Sequence, residues 1–162
     1  GSTTGGSTTG GSTTGGSTTG GSTTGSEHMV ELVGGNSSAT YKVTGNTLNV
    51  QNDAACVVLY TIDNGETYTK LAATANEAGG YDFDLTNVPA NAVIKIAIQG
   101  DFNMDGSVDA LDAVMVNRAA AGLLPHNELQ SQIGHVGGSD ALDGLDALLI
   151  NRSAAGKYTI AW

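Results

Sequence analysis

Residues 101–112 read Asp-Phe-Asn-Met-Asp-Gly-Ser-Val-Asp-Ala-Leu-Asp, a spacing suited to wrapping a hard cation. Oxygen-bearing side chains stand at positions 1, 3, 5, 9 and 12 of this stretch, with glycine at position 6. Asp101, Asn103 and Asp105 are placed to give side-chain oxygens, Ser107 its carbonyl, and Asp109 a contact made directly or through water. Asp112 closes the far side. Its arm is shorter than that of the usual glutamate, so it must come closer to ligate with both oxygens. Gly106 suits the sharp turn at position 6, where the backbone adopts a conformation other residues take poorly. The chemistry implied is oxygen coordination of calcium at one tight site.

A helix must carry the end of such a loop, and the chain supplies one twice. Asp112-Ala-Val-Met-Val-Asn-Arg-Ala-Ala-Ala-Gly122 matches Asp146-Ala-Leu-Leu-Ile-Asn-Arg-Ser-Ala-Ala-Gly156 at an offset of 34 residues. Leu111, Val114, Met115 and Arg118 recur at helical spacing, as do Leu145, Leu148, Leu149 and Arg152. Gly122 and Gly156 are suited to stop the two helices, and Pro125 to Ile133 reads as a shorter third helix between them. The same offset puts a second loop at 135–146, where the ligands fail. His135, Gly137 and Ser139 stand at positions 1, 3 and 5, Asp140 replaces the glycine, and only Asp143 and Asp146 keep their charge. Imidazole is a poor calcium ligand, so this loop is expected to be empty or weak, with a transition-metal site of His135, Asp143 and Asp146 as the alternative. Val136, Leu142, Leu145 and the tail Tyr158–Trp162 are then left to order it. Trp162 is expected near Phe102 or on the last strand before the loop, the alternative being a frayed tail.

Ahead of the loop, residues 30–99 read as strands. Thr40–Val43 and Thr47–Val50 flank a Gly45-Asn46 turn, and Cys56–Ile62 and Thr67–Leu71 flank Asp63-Asn64-Gly65-Glu66. Tyr81–Leu85 alternates at period two, and Val93–Ile98 runs straight into Gly100. Six or so short strands suggest a small β-sandwich that supports its neighbour. Alternatively Tyr41, Tyr60, Tyr68, Tyr81 and Phe83 stack on sugar rings. Residues 1–25 are five copies of Gly-Ser-Thr-Thr-Gly, a flexible-coil composition, and residues 1–29 are read as linker.

Composition narrows the function. The net charge of −10 leaves −4 on residues 30–99 and −5 on 100–162, with no basic footprint for nucleic acid or an anionic membrane. No apolar run approaches a bilayer span. Cys56 is single, so no internal disulfide forms, and it reads as a buried hydrophobe. Outside the loops there are no paired carboxylates, no histidine-bearing triad and no phosphate-cradling loop, so an enzyme is not expected.

A calcium loop of the form Asp-x-Asn-x-Asp-Gly followed by one helix, and a second copy within about sixty residues, resembles a dockerin. The resemblance covers residues 100–157, and the strands before it resemble the X or immunoglobulin-like modules that often precede dockerins. It implies a β-sandwich module (30–99) followed by a small all-α module (100–162) of two loop–helix repeats with a connecting helix, packed with near two-fold symmetry. It further implies a secreted, extracellular or cell-surface adaptor, monomeric when unbound, that docks on a cohesin of a scaffoldin in a polysaccharide-degrading complex. The positions matching the family's recognition residues are Ala110, Leu111, Asn117 and Arg118, and again Gly144, Leu145, Asn151 and Arg152. Their likeness suggests two binding orientations related by 180°. The alternatives are a calcium-stabilised structural or adhesion segment without a cohesin partner and a calcium sensor, the latter disfavoured because a strand precedes the loop.

Overall fold

The computed structural model describes residues 22–24, 28–33, 39–137 and 141–162. Strands come first: β1 (Ser22–Thr24), β2 (Met29–Leu32), β3 (Thr40–Thr44), β4 (Thr47–Gln51), β5 (Cys56–Thr61), β6 (Thr69–Lys70), β7 (Thr74–Ala75), β8 (Tyr81–Asp84) and β9 (Val93–Ile98). Three helices follow, α1 (Ala110–Ala120), α2 (Glu128–Gly134) and α3 (Gly144–Ala154). The strands make two sheets, in the orders β2-β9-β5-β6 and β1-β3-β4-β8-β7. The β2–β9 and β1–β3 pairs are parallel, and the others are antiparallel. Asn64 and Gly65 take positive φ (65° and 93°) in the turn between β5 and β6, as an Asn-Gly pair readily does.

The sheets face each other across one core. Tyr41, Val43, Leu48, Val50 and Phe83 of the five-stranded sheet meet Val30, Cys56, Val58, Ile94 and Ile96 of the four-stranded one. The next residues along β5 and β9 point the opposite way, since strand side chains alternate. Val57, Leu59 and Ala97 there pack against Ile133 and Leu129 of α2 and Met104 of the acidic loop. Gly100 N–H (2.8 Å) and Gln99 Nε2 (2.7 Å) both donate to the Ile133 carbonyl, joining the end of β9 to the end of α2. A further cluster of Phe102, Ala113, Val116, Ala119, Ala147 and Ile150 lies between α1 and α3.

The expected β-sandwich module followed by a small all-α module is therefore corrected: the chain is a mixed α/β protein, with two small sheets and three helices among the described residues. The physical reason is two-sided burial of the four-stranded sheet, whose outer face is apolar and is covered by α2 rather than by water. The N-terminal linker expectation also changes. Ser22–Thr24 pairs with Lys42–Thr44, and Met29 belongs to β2, while residues 1–21 and 25–27 of that linker lie outside the described residues. Trp162 packs against the core between the sheets rather than fraying. Its ring stacks on Tyr81 of β8, centroids 4.4 Å apart and 16° between planes. Tyr41 and Phe83 are buried in the core, so neither offers a ring to a sugar. Among the described residues, no helix is long and apolar enough to cross a membrane.

Candidate functional site

The acidic loop bridges β9 and α1. Asp101 stands three residues past the end of β9, its N–H bonded to the Ile98 carbonyl (3.1 Å), and its carboxylate takes the N–H groups of Asp105 (3.1 Å) and Gly106 (2.9 Å). Gly106 has φ 97°, the left-handed backbone expected at that position. Asp112 reaches back from the first turn of α1. Its Oδ1 takes Asn103 N–H (3.1 Å) and its Oδ2 takes Asp109 N–H (2.9 Å). One carboxylate oxygen from each of Asp101, Asp105 and Asp112 lies within 4.8 Å of the other two, a cluster that could hold a metal ion.

Asp101 and Asp112 are buried, and Asp105 is exposed. Burial pushes Asp101 up to about 7, with Asp112's charge adding to it against the pull of the Gly106 and Asp105 amides. Burial likewise pushes Asp112 up to about 6, with Asp109 and Asp105 as like charges nearby. The Ser107 N–H, chief among several bonds, holds Asp105 below the usual carboxylate range. Neither ion pair among the described residues involves these acids. A group of like-charged oxygens, two of its three residues buried and none in an ion pair among the described residues, fits a hard cation, which would neutralise them together.

The other expected ligands do less visible work on that cluster. Asn103 accepts Asp105 N–H (3.2 Å) and donates to Asp105 Oδ2 (3.2 Å), and Ser107 bonds Asp105 Oδ1 through its N–H (3.1 Å) and hydroxyl (3.3 Å). Asp109 turns to the helix: its Oδ1 takes Leu111 N–H (3.1 Å) and Asp112 N–H (3.3 Å), and Asp112 returns the bond, which makes a reciprocal cap.

The two long helices repeat each other down to their caps. Asp143 and Asp146 cap α3 as Asp109 and Asp112 cap α1. At the far ends, Leu123 N–H bonds Arg118 O and Gly122 N–H bonds Ala119 O, and Lys157 bonds Arg152 and Gly156 bonds Ser153 in the same way. A Cβ on Gly144, at the start of α3, would lie 4.0 Å from Asn117 Oδ1, so the first turn of α3 meets the later turns of α1. The connecting helix α2 starts at Glu128 rather than Pro125, because Asn127 and Gln130 form its capping pair.

Each long helix buries small and branched residues and exposes a matching row. Ala113, Val116 and Ala119 face inward on α1, and Ala147 and Ile150 on α3. Leu111 (54%), Val114 (50%), Leu145 (47%) and Leu148 (47%) remain exposed, as do Ala110, Asn117, Arg118, Gly144, Asn151 and Arg152. Val114 and Leu148 were not among the expected partner residues. Their signal was the same 34-residue offset, apolar in both copies.

In the second loop Ser139 and Asp140 lie outside the described residues. His135, Asp143 and Asp146 do not gather as a ligand cluster among the described residues. The sequence matches no protein-family model, and neither a curated protein nor a solved structure matches it.

Proposed function

We propose that this chain is a non-catalytic adaptor that docks through the α1–α3 face, on the pattern of a dockerin binding a cohesin, and that calcium in the Asp101–Asp112 loop is its cofactor. The observation that carries the reading is the duplicated exposed row: a leucine just inside each helix, a second apolar residue one turn on, then an Asn-Arg pair, on two helices packed together. Large apolar side chains left in water in matching positions suit a shallow complementary surface. Each arginine has a planar fork for directional bonds and a stem that packs, which is why arginine is favoured where binding energy concentrates. The metal acts at a distance from the partner. It holds Asp112, and Asp112 closes the cap of α1, so loading the loop fixes the start of the helix that presents Leu111.

Coordination by oxygens alone, in a loop of this spacing, favours calcium over softer ions. In this reading the protein works outside the cell, where a docking partner on a scaffold holds an attached polysaccharide-degrading enzyme or subunit. The test is a variant that keeps the loop and removes the apolar anchors. Leu111→Asp with Leu145→Asp is expected to bind calcium as the parent does and to lose cohesin binding by about a hundredfold or more, the size of a central hot spot. Unchanged cohesin binding by that variant would move the docking surface elsewhere.

A further inference from the structure

Val43, Leu48, Val50 and Phe83 turn into the core, so the alternate residues of β3, β4 and β8 turn outward, and these are polar. Thr40 and Lys42 of β3, Asn49 and Gln51 of β4 and Asp82 of β8 line a groove of about 590 Å³ on that face. Register sets them in rows: Thr40 stands opposite Gln51, Lys42 opposite Asn49, and Asn49 opposite Asp82. The turn between β7 and β8 forms one wall. Asn49 Nδ2 donates to the Gly79 carbonyl (3.1 Å), and a Cβ on Gly80 would collide with the Val50 carbonyl oxygen, so only glycine lets the turn come this close. The amides of the groove are held in place ahead of any ligand. Asp82 takes Asn49 Nδ2 (2.8 Å) on one oxygen and Asn76 Nδ2 on both (3.1 and 2.9 Å), and Gln51 Nε2 donates to Asn49 Oδ1 (3.2 Å). Among the described residues, no side-chain hydrogen bond takes up Lys42 or the hydroxyls of Thr40, Thr44 and Thr47, which also line the groove. At its Thr40–Gln51 end the groove meets a second recess, of about 420 Å³, lined also by Asn52, Asp53 and the stacked pair Tyr81 and Trp162.

We propose that this groove is a binding site for a neutral sugar chain, laid across the outer face of β3, β4 and β8 with one ring against Trp162. The site belongs to the five-stranded sheet and not to the α1–α3 face, so the idea goes beyond the docking reading and stands whether or not the helices bind a partner. Sugar hydroxyls donate and accept at once, and so do the threonine hydroxyls and the primary amides of the groove. Side chains already fixed by their neighbours lose little freedom when a ligand arrives. Lys42 is the one basic residue in the lining, and a phosphate or sulfate would meet the carboxyls of Asp82 and Asp53 as well, so the groove is poorly matched to an anion. Threonine methyls and the indole ring offer apolar surface to the CH faces of a pyranose, while the indole N–H and the nearby amides serve its hydroxyls.

The test titrates the full chain, in millimolar calcium, with cellohexaose, xylohexaose, mannohexaose and maltohexaose. Trp162 is the single tryptophan, so its fluorescence reports on the aromatic end alone, and the side-chain amide resonances of Asn49, Gln51 and Asn76 report on the rest. At least one of the four sugars is expected to bind, to shift those amides and to change the Trp162 emission. Asn49→Ala, and separately Gln51→Ala at an exposed position where folding is not at stake, are each expected to weaken that binding about tenfold or more, the worth of one or two hydrogen bonds. Leu111→Asp with Leu145→Asp should bind the sugar as the parent does, which separates this site from the docking face. Absence of binding by all four sugars overturns the idea. So does binding that moves none of these amides, binding that both groove variants leave unchanged, or tighter binding of dextran sulfate than of any neutral sugar.

Discussion

If the loop holds calcium as proposed, Asp101 and Asp112 are the residues on which its binding turns, and their burial makes it pH-dependent in a defined direction. In the metal-free protein their carboxyls titrate at about 7 and about 6, above the roughly 4 of an unfolded aspartate. Between those values the folded state holds protons that the unfolded state has released. The stability they contribute is therefore complete below about pH 4 and is lost as pH rises through 6 to 7. Metal-free protein is expected to melt at a lower temperature at about pH 8 than at about pH 5, and added calcium to raise the midpoint more at the higher pH. Paired thermal melts with calcium and with chelator check this, and a metal-free midpoint that climbs across the window would contradict it. At this scale the cluster of Asp101, Asp105 and Asp112 was legible in sequence because the three lie within twelve consecutive positions. The role of Asp109 was not legible in full. Position 9 of the loop is also the cap of α1, and in the structure its oxygen faces amides.

At the scale of elements, α1 and α3 are interchangeable in backbone, caps and exposed row. If both arginines serve one docking surface in two orientations, either can serve alone. Arg118→Ala is then expected to weaken cohesin binding only a few-fold, and Arg118→Ala with Arg152→Ala by far more than the two single losses combined. Calorimetric titration of the three variants decides it, and loss of all binding in Arg118→Ala would rule out the dual mode. The helices were readable because periodicity, caps and stop glycines agree. Their faces were less so. Leu111 and Val114 fall at the spacing of a core stripe, yet the helix–helix seam is built from Ala113, Val116 and Ala119, because small residues let the two axes come close. Strands β1 and β7, of three and two residues, carry too little pattern to be seen in sequence. Each exists because a neighbouring edge pairs with it.

For the whole molecule, the finding that sequence did not foretell is that sheets and helices share their packing. One clue was there. Cys56–Leu59 is apolar without alternation, and such a run is buried on both faces, one against the other sheet and one against α2. The tail closes the same assembly, with Trp162 on Tyr81 of β8 and Ile160 over Gly100. Ile133, fully buried between α2 and the four-stranded sheet, tests this unity. Ile133→Ala is expected to cost about 2–5 kcal/mol and to lower the unfolding midpoint seen by helical circular dichroism and by Trp162 fluorescence together. A shift in only one of the two probes would mean that the layers unfold independently.

The central claim, docking that depends on calcium, is tested most directly by binding the full chain to a panel of cohesins in millimolar calcium and again in excess chelator. The account predicts tight binding to at least one cohesin in calcium and its loss on chelation. A well-folded chain that binds none of them in calcium, or binds one equally well in chelator, would contradict it.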